Sequence, residues 1–282
     1  MNDKEEWSLI ITPKRKLLDI QIRELIRYRD LIMLFVKRDF VIQYKQTILG
    51  PLWFIISPFF STIVFTFIFG RLANIGTDGI PHTLFYFSGT IFWNFFSACF
   101  SESCNVFINN AGIFGKVYFP RLAVPINYVL SHSIKTFIQF VMLVIVYVFF
   151  VINGSPLRPG WFILLLPCIF LWLAAIAVGA GIIVSSITTK YRDLRNLVGF
   201  VLTLGMYATP IVYPISEIPE NFRLIAYINP VSSPIELFRK WFFGIGTVDG
   251  YMILISLGIT VLLVFVGLIL FNQKEQNFID VI

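Results

Sequence analysis

Residues 159–189 read PGWFILLLPCIFLWLAAIAVGAGIIVSSITT, without one charged side chain. A helix crossing the hydrocarbon core of a bilayer needs about 20 apolar residues, and this stretch is longer. Five more uncharged runs, at 46–70, 79–101, 136–157, 196–216 and 250–273, are rich in Phe, Ile, Leu and Val. A soluble domain carries roughly 25% charged residues; this chain of 282 residues carries 13% and is 57% hydrophobic. The pattern predicts an all-α polytopic membrane protein with six transmembrane helices. They fall at about 51–70, 83–108, 126–152, 161–187, 197–214 and 250–271.

Working outward, the charges sort by side. Of 22 Lys and Arg, ten precede span one, two lie in 109–124, three in 188–196 and one after span six. With six spans those segments share one side, and the positive-inside rule makes it cytoplasmic, with both termini there. The opposite side holds Arg71, Arg158, Arg223, Arg239 and Lys240, and Lys135 lies within span three. The net charge of +6 therefore reports topology rather than a nucleic-acid partner. No cleavable apolar core precedes a small-residue site, so the N-terminus is expected to stay in the mature chain. The chain divides into a cytoplasmic N-terminal region, 1–50, a six-span body, 51–271, and a short cytoplasmic tail, 272–282.

Within the first region, KRKLLDIQIRELIRYRD at 14–30 has helical periodicity, with Leu18, Ile22, Leu25 and Ile26 on one face. Such a helix lies in the headgroup plane or packs on its own protein. Span four contains Gly179-Ala180-Gly181, small residues that permit close helix approach. Between spans five and six, LIAYINPVSSPIELFRKWFFG (224–244) is apolar, yet no uncharged run there is long enough to cross. Two short helices broken at Asn229-Pro230 fit it. They are read as external re-entrant half-helices, since irregular backbone at membrane depth survives only inside protein or beside a cavity.

Chemistry-bearing motifs are sparse. The three cysteines have no CxxC spacing, and His82 and His132 are far apart, so no metal cluster is expected. GIFGKVY (112–118) echoes a phosphate-binding loop, but Asn110 stands at the first glycine position and Val117 replaces the hydroxyl residue. The chain is expected to bind no ATP, no cofactor and no metal, and to be no enzyme. What remains is KVYFPRLAVP, 116–125, with two cations, two aromatics and two prolines in a short internal loop. Either it is a short rigid helix that seats Tyr118 and Phe119 in a partner's groove, with Lys116 and Arg121 on its acidic groups, or it is a plain positive-inside loop. Pro120 and Pro125 would restrict the ends of such a helix.

Four stretches together resemble the permease subunits of bacterial type-2 ABC exporters, specifically those that move O-antigen and related lipid-linked polysaccharides. They are RDFVIQYKQTILGPLWFIISP (38–58), GKVYFPRLAVP (115–125), KYRDLRNL (190–197), and ATPIVYPISEIP (208–219) with INPVSSPIELFR (228–239). Their order and spacing agree across nearly the whole chain. The family often has a basic residue where this chain has Gln43.

The resemblance implies a homodimer with two separate ATP-binding cassette subunits, which bind ATP and magnesium. It places the assembly in the bacterial inner membrane, moving an undecaprenyl-type lipid-linked glycan outward. Related permeases for teichoic acid, capsule, drugs or lipids are the alternative. It also implies ATPase coupling at Lys116, Tyr118, Phe119, Pro120 and Arg121, with a second contact at Lys190, Arg192 and Asp193. The N-terminal helix would be a gate-like element and the broken segment a pair of external pore helices.

Two charges lie inside spans, Glu102 and Lys135. A central charge costs about 2.5–3.5 kcal/mol on insertion scales, so neither is expected to face lipid. They pair with each other, or Lys135 faces the conduit and meets the substrate's pyrophosphate. Aromatics are 17% of the chain. Trp53, Phe54, Trp93 and Phe96 are candidates for the substrate path, where sugar rings stack on aromatic faces. Interfacial belts and helix packing are the alternative use of such rings.

Overall fold

The computed structural model describes residues 22–45, 49–117, 119–157, 159–160, 164–188 and 194–277. The first half of the N-terminal amphipathic stretch, Tyr118, Lys190, Arg192, Asp193 and residues 278–282 lie outside them. Every regular element among the described residues is helical. Two helices precede the first span, α1 (Ile22–Arg27) and α2 (Arg29–Tyr44). Then follow α3 (Trp53–Phe65), α4 (His82–Cys104), α5 (Val106–Phe114), α6 (Ala123–Ile152), α7 (Leu166–Thr188) and α8 (Leu194–Ala208). The short helices α9 (Arg223–Ile228) and α10 (Ser232–Phe243) lead to α11 (Gly250–Asn277).

Four stretches are long and apolar enough to cross a membrane: Trp53–Leu72, Ala123–Ile152, Leu166–Thr188 and Gly250–Gln273. The first is α3 continued by a wide π-turned segment over Thr66–Leu72. At 1.5 Å per residue α6 is about 45 Å long, enough to project beyond the hydrocarbon.

Two sequence boundaries move, for local reasons. The run expected at 83–108 is two helices. At Asn105 the side-chain amide donates to Ser101 O at 2.9 Å, and the backbone leaves the helical ladder. Asn favours such local bonds over a helix interior. The run expected at 197–214 stops at Ala208, because Pro210 disfavours a helical Thr209 and donates no N–H. The resulting α8 is about 22 Å long, short of the roughly 30 Å hydrocarbon core.

The centre of the fold is α4, buried along almost its whole length and flanked by α3, α6, α7, α8 and α10. Its neighbours rather than lipid solvate it, which explains how Asn94, Ser97, Ser101 and Glu102 are carried there. Phe92 stacks on Phe170 of α7 at 5.0 Å and meets Phe238 of α10 at 4.5 Å. Phe238 in turn stacks on Phe242 at 5.0 Å. Phe92, Phe238 and Phe242 are buried in the protomer, while Phe170 is half-buried.

The Gly179-Ala180-Gly181 step sets the closest packing. A Cβ on Gly179 would come 2.9 Å from the Leu263 backbone of α11. On Gly181 it would meet Ser103 Cβ of α4 at 2.5 Å and Phe100 O at 2.9 Å. One glycine thus lets α7 approach α11 and the other lets it approach α4. Gly181→Val is expected to lower stability by about 1–3 kcal/mol through overpacking, read as a lower melting temperature of purified protein in detergent. A melting temperature equal to wild type would show that α7 and α4 separate at no cost.

Candidate functional site

The candidate site is a polar cleft of about 250 Å³ between α2, the end of α4, α5 and α6. Tyr128, Ser131, His132 and Lys135 line it from α6. They fall on one flank because 3.6 residues make a turn. Arg38, Asp39 and Ile42 come from α2, Glu102 from α4, and Asn109 and Asn110 from α5.

Hydrogen bonds fix α2 on α6. The Asn127 amide donates to Asp39 Oδ2 at 2.7 Å, and the Ser131 hydroxyl donates to Asn127 Oδ1 at 3.2 Å. Arg38 pairs with the other Asp39 oxygen at 2.8 Å and lies 4.9 Å over the Phe35 ring. On α5, the Asn110 amide donates to Tyr128 Oη at 2.8 Å. Beneath them Ile32, Phe35, Phe107, Phe114, Phe119 and Phe271 form a second apolar core.

Glu102 and Lys135 line the same cleft, and the Glu102 charge acts on the Lys135 ammonium. Lys135 Nζ also lies 5.4 Å over the Phe54 ring of α3. One turn further along α6, the Gln139 amide donates to Phe54 O at 3.1 Å. Pro58 explains this bond: having no N–H, it leaves the Phe54 carbonyl without its helical partner. Gln139→Leu is expected to cost about 1–3 kcal/mol by stranding that carbonyl. Adding Pro58→Ala supplies the missing N–H, so the double variant should recover most of the lost melting temperature. A double variant no better than Gln139→Leu would show that the carbonyl is not what Gln139 serves.

Of the KVYFPRLAVP stretch, the described residues before Ala123 form turns and Ala123–Pro125 open α6, with the short helix α5 upstream of the stretch. Pro125 falls in the first turn of α6, where a missing N–H costs little. Lys116 and Val117 form the exposed tip. Phe119 and Pro120 are buried, as is Arg121, whose guanidinium lies 5.4 Å over the Phe114 ring. Of the path candidates, Trp53 is exposed and Phe54 is half-buried at the cleft. Trp93 and Phe96 are buried against one another at 5.3 Å.

The residue that sequence reasoning missed is Arg239. Counted there as a loop cation, it is enclosed at the opposite end of the bundle. It bonds Glu236 at 2.7 Å, one turn earlier on α10. It donates as well to the carbonyls of Pro210, Phe85 and Ile211, and covers the Phe85 ring at 3.6 Å. Burial pushes the Glu236 carboxyl above its ordinary range, with the guanidinium opposing it. The Glu-x-x-Arg spacing among aromatics was the available signal.

Residues 30–243, well over half of the chain, match the family described as ABC-2 type transporter. The chain belongs to the ABC-2 type transporter family. The O-antigen export system permease protein RfbA of Klebsiella pneumoniae is 30% identical over 90% of this chain and 95% of its own length. The protein of that name from Myxococcus xanthus is 23% identical over 92% and 98%. The polysialic acid transport protein KpsM of Escherichia coli is 22% identical over 85% and 91%. In this ABC-2 permease the family match runs from the start of α2 to the end of α10, and so takes in both the polar cleft and the Arg239 cluster.

Proposed function

We propose that the chain is the membrane subunit of an ABC exporter that carries a lipid-linked polysaccharide of O-antigen type outward across the bacterial inner membrane. One observation supports this most: the similarity to polysaccharide-export permeases extends over nearly the full length of both chains. The working unit is two copies of this chain and two ATPase subunits, which bind ATP and magnesium. The topology is six-spanning with both termini cytoplasmic, α4 crossing inside the shelter of its neighbours, α8 crossing beside it, and α9 and α10 forming an external re-entrant pair. The ATPase engages the exposed turn at Lys116 and the segment that holds Lys190, Arg192 and Asp193. Binding of ATP biases the inward and outward arrangements only as far as the partner binds them differently.

Depleting the chain in its host tests this reading. The expected result is lipid-linked polysaccharide accumulating on the cytoplasmic face and disappearing from the surface. Unchanged surface glycan would overturn the substrate and leave a drug or lipid exporter of the same family as the better reading.

A further inference from the structure

A second flank of α6 carries an apolar groove of about 530 Å³, shared with the first turns of α7. Both helices pack along α4 and touch one another little, so a furrow stays open between them. Phe140 and Phe170, both half-buried, lie at its base. Phe170 stacks on Phe92 of α4 at 5.0 Å, and Phe140 meets Phe242 of α10 edge-on at 5.7 Å. Exposed Phe137 and Leu171 form the rims.

The lining defines the occupant. Its two hydroxyls are engaged within α6: Ser133 donates to Val129 O at 2.7 Å and Thr136 to His132 O at 2.8 Å. What is left is aromatic and aliphatic, and an apolar cavity of that kind stays dry and takes apolar ligands. Both walls belong to stretches long and apolar enough to cross a membrane, so hydrocarbon is the medium that reaches the groove. Another helix fits it poorly. Helices associate in lipid through small residues and free polar groups, and here the rims are Phe and Leu. The α6 wall from Val129 to Phe140 is about 17 Å long at 1.5 Å per residue. One leaflet is half of a hydrocarbon core of roughly 30 Å, so the groove matches the depth of a single lipid chain.

We propose that the groove between α6 and α7 holds one acyl chain of a membrane phospholipid, seated individually rather than exchanging with the surrounding bilayer. The chain fills space beside Phe140 and Phe170 that would otherwise forfeit dispersion contacts. Because those rings back onto Phe92 and Phe242, the lipid props α4 and α10 from the membrane side. The site is separate from the polar cleft and does not depend on the export reading.

Native mass spectrometry of the full-length chain tests it, after detergent exchange that strips loosely held lipid. Wild-type protein is expected to retain one phospholipid per protomer. Ser133→Phe/Leu171→Phe, which fills the groove with its own rings, should retain about tenfold less. Ile145→Phe, at an exposed α6 position outside the groove, should retain as much as wild type. Adding phosphatidylglycerol to stripped protein should raise the melting temperature of wild type by about 5 °C or more and leave the filled variant unmoved. The filled variant should melt no lower than stripped wild type, which a folding defect would not allow.

Equal retention by the filled variant and wild type would overturn the proposal, as would a stripped wild type that holds no phospholipid and gains no stability from it. A filled variant that melts below stripped wild type would show that the fold already closes the groove, which overturns it too. An undecaprenyl-type lipid in place of the phospholipid would overturn it in favour of the tail of an exported substrate. Depletion in the host decides the export reading separately in every case.

Discussion

Arg239→Met is expected to lower stability by about 3–5 kcal/mol, the cost of leaving a buried charge without its partner. The side chain is 1% exposed and so is that of its partner Glu236, at 2%. Neither reaches water if the other is lost. The guanidinium also serves the backbone. After Ala208 the chain leaves α8 through Thr209 and Pro210, and carbonyls there have no helical donors. Arg239 bonds Pro210 O and Ile211 O, while the Asn229 amide donates to Thr209 Oγ1 at 2.8 Å.

Space for this comes from Gly89 on α4, where a Cβ would meet Arg239 Nη2 and Ile211 Cγ2 at 3.0 Å. A Glu236→Leu/Arg239→Met double variant replaces the ion pair by apolar groups, a change that is often neutral or better for a buried pair. It should therefore melt above Arg239→Met, though below wild type, because the three carbonyls lose their donor. Thermal melting of purified protein decides the point. A double variant no more stable than Arg239→Met would mean that the carbonyl contacts, not the ion pair, carry the effect.

Span existence was legible wherever an apolar run solvates itself in lipid, as at 159–189 and 250–273. Boundaries were not, where a single side chain competes with the helix. Asn105 ends α4 by bonding Ser101 O, and Pro210 ends α8, although hydropathy is continuous across both. The close approach at Gly179 and Gly181 was visible as small residues. Which glycine faces which helix depends on rotation about α7, and only packing fixes that. Glu102 and Lys135 were legible as residues that must avoid lipid. That they share a cleft was not, since its third wall is α2, distant in sequence and joined through Asn127.

Arg239 shows the same limit from the other side. Charge counting assigns a cation to a loop, whereas five donors in a planar fork are what a set of exposed carbonyls demands. Trp93 and Phe96 of α4 were read as a possible lining, and both are buried in the protomer. A helix surrounded by five others has no free face, and hydrophobic composition alone does not report how many neighbours a helix will have.

Phe119→Ala is expected to cost about 3–5 kcal/mol, the range for removing a buried aromatic ring. Its ring packs edge-on against Phe35 of α2 at 5.8 Å and against Phe114 of α5 at 5.8 Å. It is 5% exposed, so it joins the pre-span helices to the turn rather than offering an anchor to a partner. Lys116, three residues earlier, is exposed at the tip, where a substitution changes stability by no more than about 0.5 kcal/mol.

The two substitutions therefore separate packing from coupling in one short segment. Phe119→Ala should reduce melting temperature and yield, with transport falling in proportion to folded protein. Lys116→Ala should keep wild-type melting temperature while lowering ATP hydrolysis when the chain and its ATPase are reconstituted together. Equal ATP hydrolysis by Lys116→Ala and wild type would remove Lys116 from the coupling contact. A Phe119→Ala protein with wild-type melting temperature but lost hydrolysis would show that the ring leaves its core position to meet the ATPase. The same ring also packs on α2, which carries Arg38 and Asp39 to the cleft, so the turn and the cleft share the Phe35–Phe119 contact.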